Sequence, residues 1–348
     1  MERVTLKLAE TSHLGREGQI VELSLTPTDV RIPEELPTYI AGYKPFAARA
    51  DEISRPFGVD VEFGKLRNFT LLNTFQRVNV KTSSEGHVKE IDSATELLDY
   101  KTVLRAVGSY VSDHMSAQAQ SRAAGQRRAA AKKCVRPMIT DRELDVAALM
   151  QTAGNWATSA KVNLGATFNW NGGAASDPIL DLHTRIEASS QEVTKIWMTR
   201  FVANTMLRHA KVIAYVAGLI GHNAIDMSIH NLNKANLAQV SHDILLPGFP
   251  PIGILASKSV DPADSALKAN FANSVFMTCN EESDEMDEET ICTTKTPRLN
   301  GPYGQMMVRE YRVENRGAAG GTMIVVAQQD VAIMTSNTAG GLIEGVIQ

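Results

Sequence analysis

Histidine spacing is the first place in this sequence to look for a metal site, because the neutral imidazole is a common zinc ligand. Four of the eight histidines are His209, His222, His230 and His242. None has the HExxH spacing that places two imidazoles on one face of a helix, and no accompanying carboxylate pattern stands out. We predict no metal ion and no cofactor, with three histidines assembled by the fold as the alternative.

The cysteines and the glycine-rich run give no sign of catalysis. Cys134, Cys279 and Cys292 include no CxxC pair, which predicts free thiols in a reducing compartment. The sequence has neither a GxSxG nucleophile elbow nor a GxxxxGK[ST] phosphate loop. Residues 317–321 are rich in glycine but lie between two strand-like runs, which predicts a turn rather than a phosphate cradle. We therefore predict no catalytic residues and a protein that is not an enzyme.

The overall charge argues against a dedicated nucleic-acid-binding protein. The chain has 35 basic and 39 acidic residues, a net charge of -4, whereas such proteins usually have a clear basic excess. Residues 281–289 are mostly acidic but lack the alternating ligands and central glycine of a calcium loop. We predict that this run is a solvated surface loop.

Basic residues are concentrated in one stretch of the chain, which contains Arg127, Arg128, Lys132, Lys133 and Arg136. A solvated helix face is the first interpretation of this cluster, and loose, non-specific contact with DNA is the second. No aromatic residue is interleaved with the basic ones, so stacking on single strands is not expected.

The elements that must position these residues begin with an extended arm over residues 1–44, where several prolines prevent a helix. Residues 55–82 are predicted to be rich in β-strand, with regular alternation over 59–63. Residues 88–110 are predicted to return as the other leg of a long hairpin that turns at 82–86. An arm and a hairpin bury little surface within their own chain, so both are expected to lie on a neighbouring subunit.

Two helices are predicted within residues 105–175. The first is polar, covers 109–133 and ends at Pro137, because proline disfavours a helical conformation at the residue before it. The second begins at a capping box formed by Thr140 and Glu143 and covers 144–151. Its apolar face is predicted to contain Leu144, Ala147, Ala148 and Met150. A loop rich in Asn and Gly, which includes Trp156 and Trp170, follows it.

Helices and strands alternate in residues 176–302. Ser176, Asp177 and Pro178 form a helix start, because an acceptor side chain precedes a proline in the first turn. The predicted elements are a helix to residue 190, a strand at 196–198, a helix at 200–209, short elements at 232–240 and 244–246, and strands at 252–256 and 274–278. In residues 303–348, four strands are predicted at 306–313, 322–328, 331–335 and 342–347.

The N-terminus lacks the apolar core of a signal peptide, and the most apolar run, residues 212–220, is too short to cross a bilayer. A soluble protein with no membrane partner is expected.

Several stretches resemble the major capsid proteins of tailed bacteriophages, which share the Hong Kong phage-type capsid fold. Trp156 with the helix start at Asp177 is similar to the family's "W…DP…DI" stretch. Residues 196–209 are similar to the strand and helix that follow it, and residues 330–343 to the closing strands, commonly "D…V…AG.LI". In this chain Val193-Thr194-Lys195 replaces the "PN" that often precedes the strand.

The resemblance implies an α+β fold in named parts. These are an extended N-terminal arm (1–44), peripheral-domain strands (45–66), a long β-hairpin E-loop (67–104), the peripheral domain with its spine helix (105–175), an α/β axial domain (176–302) and the return strands of the peripheral domain (303–348).

The same resemblance implies a shell subunit. Copies of the chain would form hexamers and pentamers that close into an icosahedral head around double-stranded DNA. Its other partners would be a portal protein and, optionally, scaffolding and decoration proteins. The protein would reside in the virion, after assembly in the host cytoplasm.

Two alternatives from other classes are open. An encapsulin-like compartment shell uses the same fold without packaging DNA. A small-molecule α/β enzyme would instead be a stable monomer or dimer with a well-formed polar pocket.

Overall fold

The computed structural model describes residues 30–31, 48–69, 95–113, 123–172, 175–220, 249–260, 265–280, 291–300, 306–313 and 320–347. Outside these residues lie most of the predicted arm, the hairpin turn at 82–86, the elements at 232–240 and 244–246, the acidic run at 281–289 and residues 317–319 of the glycine-rich turn.

The described residues form a mixed α+β structure, as predicted. Its helices are α1 (Ala50–Ile53), α2 (Ala123–Gln151), α3 (Gly165–Phe168), α4 (Pro178–Ala188), α5 (Arg200–Leu207) and α6 (Ala210–Ile220). Its first eight strands are β1 (Val30–Arg31), β2 (Arg55–Val59), β3 (Phe63–Phe69), β4 (Thr95–Lys101), β5 (Val103–Ser112), β6 (Lys161–Asn163), β7 (Lys195–Thr199) and β8 (Ile252–Leu255). The other eight are β9 (Lys258–Val260), β10 (Leu267–Ala269), β11 (Val275–Thr278), β12 (Thr294–Leu299), β13 (Met307–Val313), β14 (Gly321–Asp330), β15 (Ile333–Met334) and β16 (Gly341–Glu344). None of the described helices is both long and apolar enough to span a membrane.

A seven-stranded sheet is built around β14. Its path is β1-β13-β14-β12-β15, and β5 and β2 join it by pairing with β14 and β12. β5 lies antiparallel along the whole of β14, from Ser112 opposite Gly321 to Val103 opposite Asp330. The first half of α2 covers this sheet, since its buried Cys134 and Val135 share one apolar cluster with Ile324 and neighbouring strand residues.

A five-stranded sheet, in the order β6-β16-β11-β7-β8, forms the centre of the second layer. Helices α4, α5 and α6 cover one face through Leu182, Val202 and Val212, which are buried in one cluster with sheet residues. The end of α2 packs on the other face, where Met150 shares a cluster with Trp197. Helix α2, which lies where the resemblance leads us to expect the spine helix and is called so below, therefore connects the cores beneath the two sheets.

The prediction of two helices separated at Pro137 is wrong, because α2 is a single helix with Pro137 inside it. A proline in a helix interior removes one backbone hydrogen bond and costs about 3 kcal/mol. Pro137 itself faces solvent, while Val135 and Met138 on either side of it are buried against the sheet. Burial of these flanking side chains offsets the cost of the proline and keeps the helix continuous.

The start of the predicted first helix and the predicted apolar face of the second are also wrong. Residues 109–112 belong to β5, where they pair with β14. Ala147 and Met150 are buried, but Leu144 and Ala148 are exposed. Because the helix is continuous, its packing on the sheets fixes its rotation, and the charged Arg142 and Glu143 lie on the buried side instead.

The strand predicted over residues 59–63 is interrupted. β2 ends at Val59, a bend occupies residues 60–62, and β3 begins at Phe63. The alternation occurs at a corner because β2 runs parallel to β12 in the large sheet, whereas β3 leaves that sheet to pair with β4. Of the described residues of the predicted return leg, those of β4 pair with β3, whereas those of β5 belong to the large sheet.

The helix start at Asp177 and the strands and helix after it are confirmed. The Asp177 carboxylate accepts a hydrogen bond from the Leu180 backbone N–H, and Pro178 occupies the first turn of α4. β7 and α5 lie where the sequence predicts them, and α5 ends two residues early, at Leu207. The four predicted C-terminal strands are present as β13 to β16.

The last of these strands lies in the five-stranded sheet. β16 pairs with β11 on one side and β6 on the other, although the sequence division places it with the peripheral part. Leu342 and Ile343 are fully buried on opposite faces of that sheet, in two different clusters. Burial of both faces fixes the position of this strand.

Candidate assembly surfaces

The base of the hairpin is anchored to the subunit while its outer face is left uncovered. β3 and β4 pair from Phe63 opposite Lys101 to Phe69 opposite Thr95. Leu66 and Tyr100 are buried with Val59 in a small cluster beside the large sheet. Phe63, on the opposite face, is 73% exposed. This arrangement leaves an anchored hairpin with apolar surface for another molecule to cover.

Large apolar side chains are exposed on two further elements. Val260 and Leu267 are opposite one another in the two-stranded sheet β9-β10, and both are largely exposed. Leu180 on α4 and Phe201 on α5 are also exposed. Scattered exposed apolar residues are ordinary, but an exposed pair at one register position forms a contiguous apolar surface.

A buried ionic network joins the spine helix to the large sheet. The Asp330 side chain, at the end of β14, is 1% exposed, and its carboxylate contacts three guanidinium groups. Arg105 Nη1 lies 2.6 Å from Asp330 Oδ1, and Arg142 Nη1 and Arg298 Nη2 lie 3.4 Å and 3.3 Å from Oδ2. Because the four residues come from β5, α2, β12 and β14, the network fixes the relative positions of distant parts of the sequence.

Three outer carboxylates complete this network. Asp51 Oδ1 lies 2.6 Å from Arg142 Nη2 and 2.9 Å from Arg298 Nη2, while Arg105 also binds Asp141 and Asp145. Burial by itself would raise the pKa of Asp51, but the two guanidinium groups outweigh it and hold this pKa below its ordinary value. Burial opposes ionisation of Arg105, and its carboxylate partners outweigh that effect and raise its pKa. Both shifts favour the charged forms of Asp51 and Arg105.

Glu143 caps a different helix from the one predicted. The sequence assigns it to a capping box, but α2 already includes Thr140, whose hydroxyl donates to the Arg136 carbonyl. The Glu143 carboxylate instead accepts hydrogen bonds from the backbone N–H groups of Arg49 and Ala50, the latter at 3.0 Å. The buried Glu143 carboxylate of α2 thus pairs with backbone N–H groups at the start of α1, which would otherwise lack a hydrogen-bond acceptor, although Ala50 lies 93 residues earlier in the chain.

A groove of about 400 Å³ lies between α4 and α6. Asp177 and Lys211 form an ion pair at 3.1 Å at one side of it. Lys211 and the Leu180 N–H outweigh the effect of burial and lower the pKa of Asp177. Burial raises the pKa of Asp181, whose carboxylate accepts a hydrogen bond from the Trp170 indole at 2.9 Å. The Asp177–Lys211 ion pair thus joins the start of α4 to α6, and the hydrogen bond from Trp170 to Asp181 joins α4 to the segment after α3.

The residues considered as metal ligands or nucleophiles are not brought together in the part of the chain that the structure describes. His209 lies at the start of α6, where burial lowers its pKa, and the other three histidines fall outside the described residues. No group of three His, Cys, Asp or Glu residues that could hold a metal ion is found in the described ranges. All three cysteines are buried and free of disulfides, and burial raises the pKa of Cys134 and Cys279 to about 11.

Sequence reasoning missed the ionic network, although a signal was present. Arg105 stands alone among apolar residues of β5, and Asp330 ends the apolar strand β14. An isolated charge in a strand that must be buried calls for an opposite charge nearby. The sequence does not show which charges pair with one another, because the residues of the network lie up to 279 positions apart, from Asp51 to Asp330.

Solved structures share this architecture along most of the chain. A phage-related protein from Bordetella bronchiseptica matches with a TM-score of 0.64 at 17% identity, over 89% of this chain and 96% of that one. A protein assigned as the capsid protein of an Escherichia coli prophage matches with a TM-score of 0.51 at 9% identity, over 88% and 96%. No protein-family model and no curated protein matches the sequence. The two-sheet architecture, the spine helix and these likenesses identify the fold of this chain as the Hong Kong phage-type capsid fold of tailed bacteriophages.

Proposed function

We propose that this chain is the major capsid protein of a tailed phage and that it acts as a shell subunit rather than as an enzyme. The observation that carries the proposal is the capsid fold, shared over 89% of the chain with a phage-related protein. Copies would form hexamers and pentamers of an icosahedral head that encloses double-stranded DNA. The chain would assemble in the host cytoplasm and remain in the virion.

The exposed surfaces support self-association. Phe63 of the hairpin and the pair Val260 and Leu267 of β9-β10 expose apolar surface on two-stranded sheets that are separate from the two larger sheets. Such surface is available for other copies of the chain to cover. A head-to-tail contact between two different surfaces closes into a ring when its rotation closes, which produces capsomers. The portal and any scaffolding or decoration proteins would bind the same shell.

The proposed division into parts follows the capsid fold. The extended arm is residues 1–44 and the hairpin residues 67–104. The peripheral part contains the seven-stranded sheet with the spine helix. The axial part is the region 176–302 apart from β12, which belongs to the seven-stranded sheet. The strand β16 contributes to the axial sheet from the end of the chain.

Electron microscopy of the chain expressed alone and purified by size exclusion tests the proposal. Closed shells or capsomer rings are the expected result. A homogeneous monomer or dimer that persists after the scaffolding gene from the same locus is co-expressed would contradict it. Nuclease-protected DNA inside shells would support a phage head, whereas protein cargo without DNA would support a compartment shell instead.

A further inference from the structure

We infer that the first half of the spine helix, residues 123–140 of α2, is the surface that contacts packaged double-stranded DNA, so that this face of the subunit lines the interior of the shell. This inference rests on the proposed function, and it assigns to a defined helix face a contact that composition alone leaves unassigned.

The first observation is the separation of charge along the chain. Residues 123–140 contain five basic residues and neither Asp nor Glu. Without this segment the chain has 30 basic and 39 acidic residues, a net charge of -9. A weakly acidic protein thus places a purely basic stretch on one helix, and the rest of its surface repels a polyanion.

The second observation is the orientation of the helix. Ala131, Cys134, Val135 and Met138 are buried against the large sheet, which leaves the opposite side of the helix outward. The basic side chains Arg127, Arg128, Lys133 and Arg136 are exposed, and Lys132 is partly exposed. The charges are therefore concentrated on the solvent side.

The five basic residues of 123–140, here called the basic stripe, are spaced to match an extended polyanion. Arg128, Lys132 and Arg136 recur every fourth residue, so they follow one side of the helix over about 12 Å. Along that length one strand of a duplex presents about three or four phosphates. Arg127 Nη1 lies 3.7 Å from a carboxylate oxygen of the buried Glu310 within the same subunit.

The chemistry favours the duplex backbone over other nucleic-acid features. Residues 123–140 contain no Phe, Tyr or Trp, so the surface offers no platform for stacking unpaired bases. Because this half of α2 packs against the large sheet, its exposed basic side chains are held in fixed positions along the helix, where they can contact successive phosphates. Binding is therefore expected to be independent of sequence and strongly dependent on salt.

The test compares the wild-type protein with two double variants of equal net charge. Lys133→Glu with Arg136→Glu reverses two exposed charges of the stripe. Arg200→Glu with Lys258→Glu reverses two exposed charges elsewhere and serves as the control. Binding of a fluorescent random-sequence duplex is measured by anisotropy over a series of salt concentrations.

The expected wild-type slope of log affinity against log salt concentration is about -3 to -4, since each neutralised phosphate contributes about -0.9. The stripe variant should lower the magnitude of the slope by about 2 and weaken binding at low salt at least tenfold, whereas the control keeps the wild-type slope. Equal loss in both variants, or no loss in the stripe variant, would overturn the inference.

Two further measurements separate this inference from the proposed function. Electron microscopy of all three proteins reports assembly independently of DNA binding, so that shells formed by the stripe variant with reduced DNA content support both conclusions. In intact shells, Lys133 should resist a bulky amine reagent that modifies it in free subunits, and equal labelling would overturn its interior position. If duplex binding is unchanged but a scaffolding protein is lost from variant shells, the stripe binds that protein and the DNA assignment is wrong.

Discussion

At the scale of single residues, Asp330 combines complete burial with direct contact to three positively charged side chains. Its carboxylate faces three guanidinium groups, and only the outer carboxylates balance them. Taking a charge out of water costs several kcal/mol, which an ion pair repays only when its partners remain in place. Removing the central anion should therefore be far more damaging than removing an exposed charge.

The substitution Asp330→Ala is expected to lower the free energy of unfolding by about 3–5 kcal/mol, because it leaves buried guanidinium groups without their shared partner. Denaturant unfolding of unassembled subunits measures the change. Asp99→Asn is the control, since Asp99 is exposed and lies 3.9 Å from Lys65, which is also exposed. A loss below about 1 kcal/mol for Asp330→Ala would show that the network adds little to stability.

The lowered pKa of Asp51 predicts a specific pH dependence. Its folded pKa lies below the ordinary value of 3.8, so its carboxylate stabilises the fold above that pH and loses this effect as the pH falls through the folded pKa. Wild-type protein should be more stable than Asp51→Asn at neutral pH, and the difference should narrow below about pH 4. Unfolding free energies from pH 7 to pH 3 test this, and a constant difference would contradict it.

At the scale of elements, the spine helix shows tertiary packing overriding a local signal. Pro137 predicts a helix end from sequence alone, but the buried residues on either side of it belong to one cluster on the large sheet. The rules for helix ends describe an isolated segment, and they fail where burial of a long apolar face contributes more than one proline costs. Helix α4 was predicted correctly because its signals are local to its own first turn.

Replacing Pro137 by Ala is expected to stabilise the subunit, by at most about 3 kcal/mol, because it restores a backbone N–H to the helix interior. Thermal unfolding of unassembled subunits measures the effect. Ala129→Gly at an exposed position of the same helix should instead destabilise by about 1 kcal/mol and shows that the assay resolves such changes. If Pro137→Ala were less stable than the wild-type subunit, the local helix geometry would depend on the proline and the prediction would be wrong.

The exposed face of the hairpin should matter for assembly and not for folding. Phe63 and Lys65 lie on the same outer face of β3. Phe63→Ser is expected to change the free energy of unfolding of the subunit by less than about 0.5 kcal/mol, since the ring contributes little burial. It should reduce the yield of shells in size exclusion, whereas Lys65→Ser should not. Normal shell yield from Phe63→Ser would remove this face from the list of intersubunit contacts.

At the scale of the whole molecule, a few short stretches of sequence indicate the fold, but the order in which the strands pair cannot be read from the sequence. Trp156 and Asp177 lie in one such stretch, and the first is buried where the end of the spine helix meets the five-stranded sheet. The order of the sheets depends on pairings such as β16 with β11, which join residues far apart in the chain. Alternation predicts strands, but it does not state which strands are neighbours.

The N-terminal arm supplies the last prediction, and a matched pair of deletions can test it. Val30 and Arg31 pair antiparallel with Tyr311 and Glu310, so part of the predicted arm is attached to the subunit's own large sheet. Removing residues 1–29 keeps strand β1 and its pairing with β13, whereas removing residues 1–40 also removes β1. If the arm supplies intersubunit stability, both deletions should leave the unfolding of free subunits nearly unchanged, because among the described residues the apolar clusters start at Ala50. Both should lower the temperature at which assembled shells dissociate in calorimetry, and the longer deletion should lower it further. Shells of unchanged heat stability after removal of residues 1–40 would refute the role of the arm.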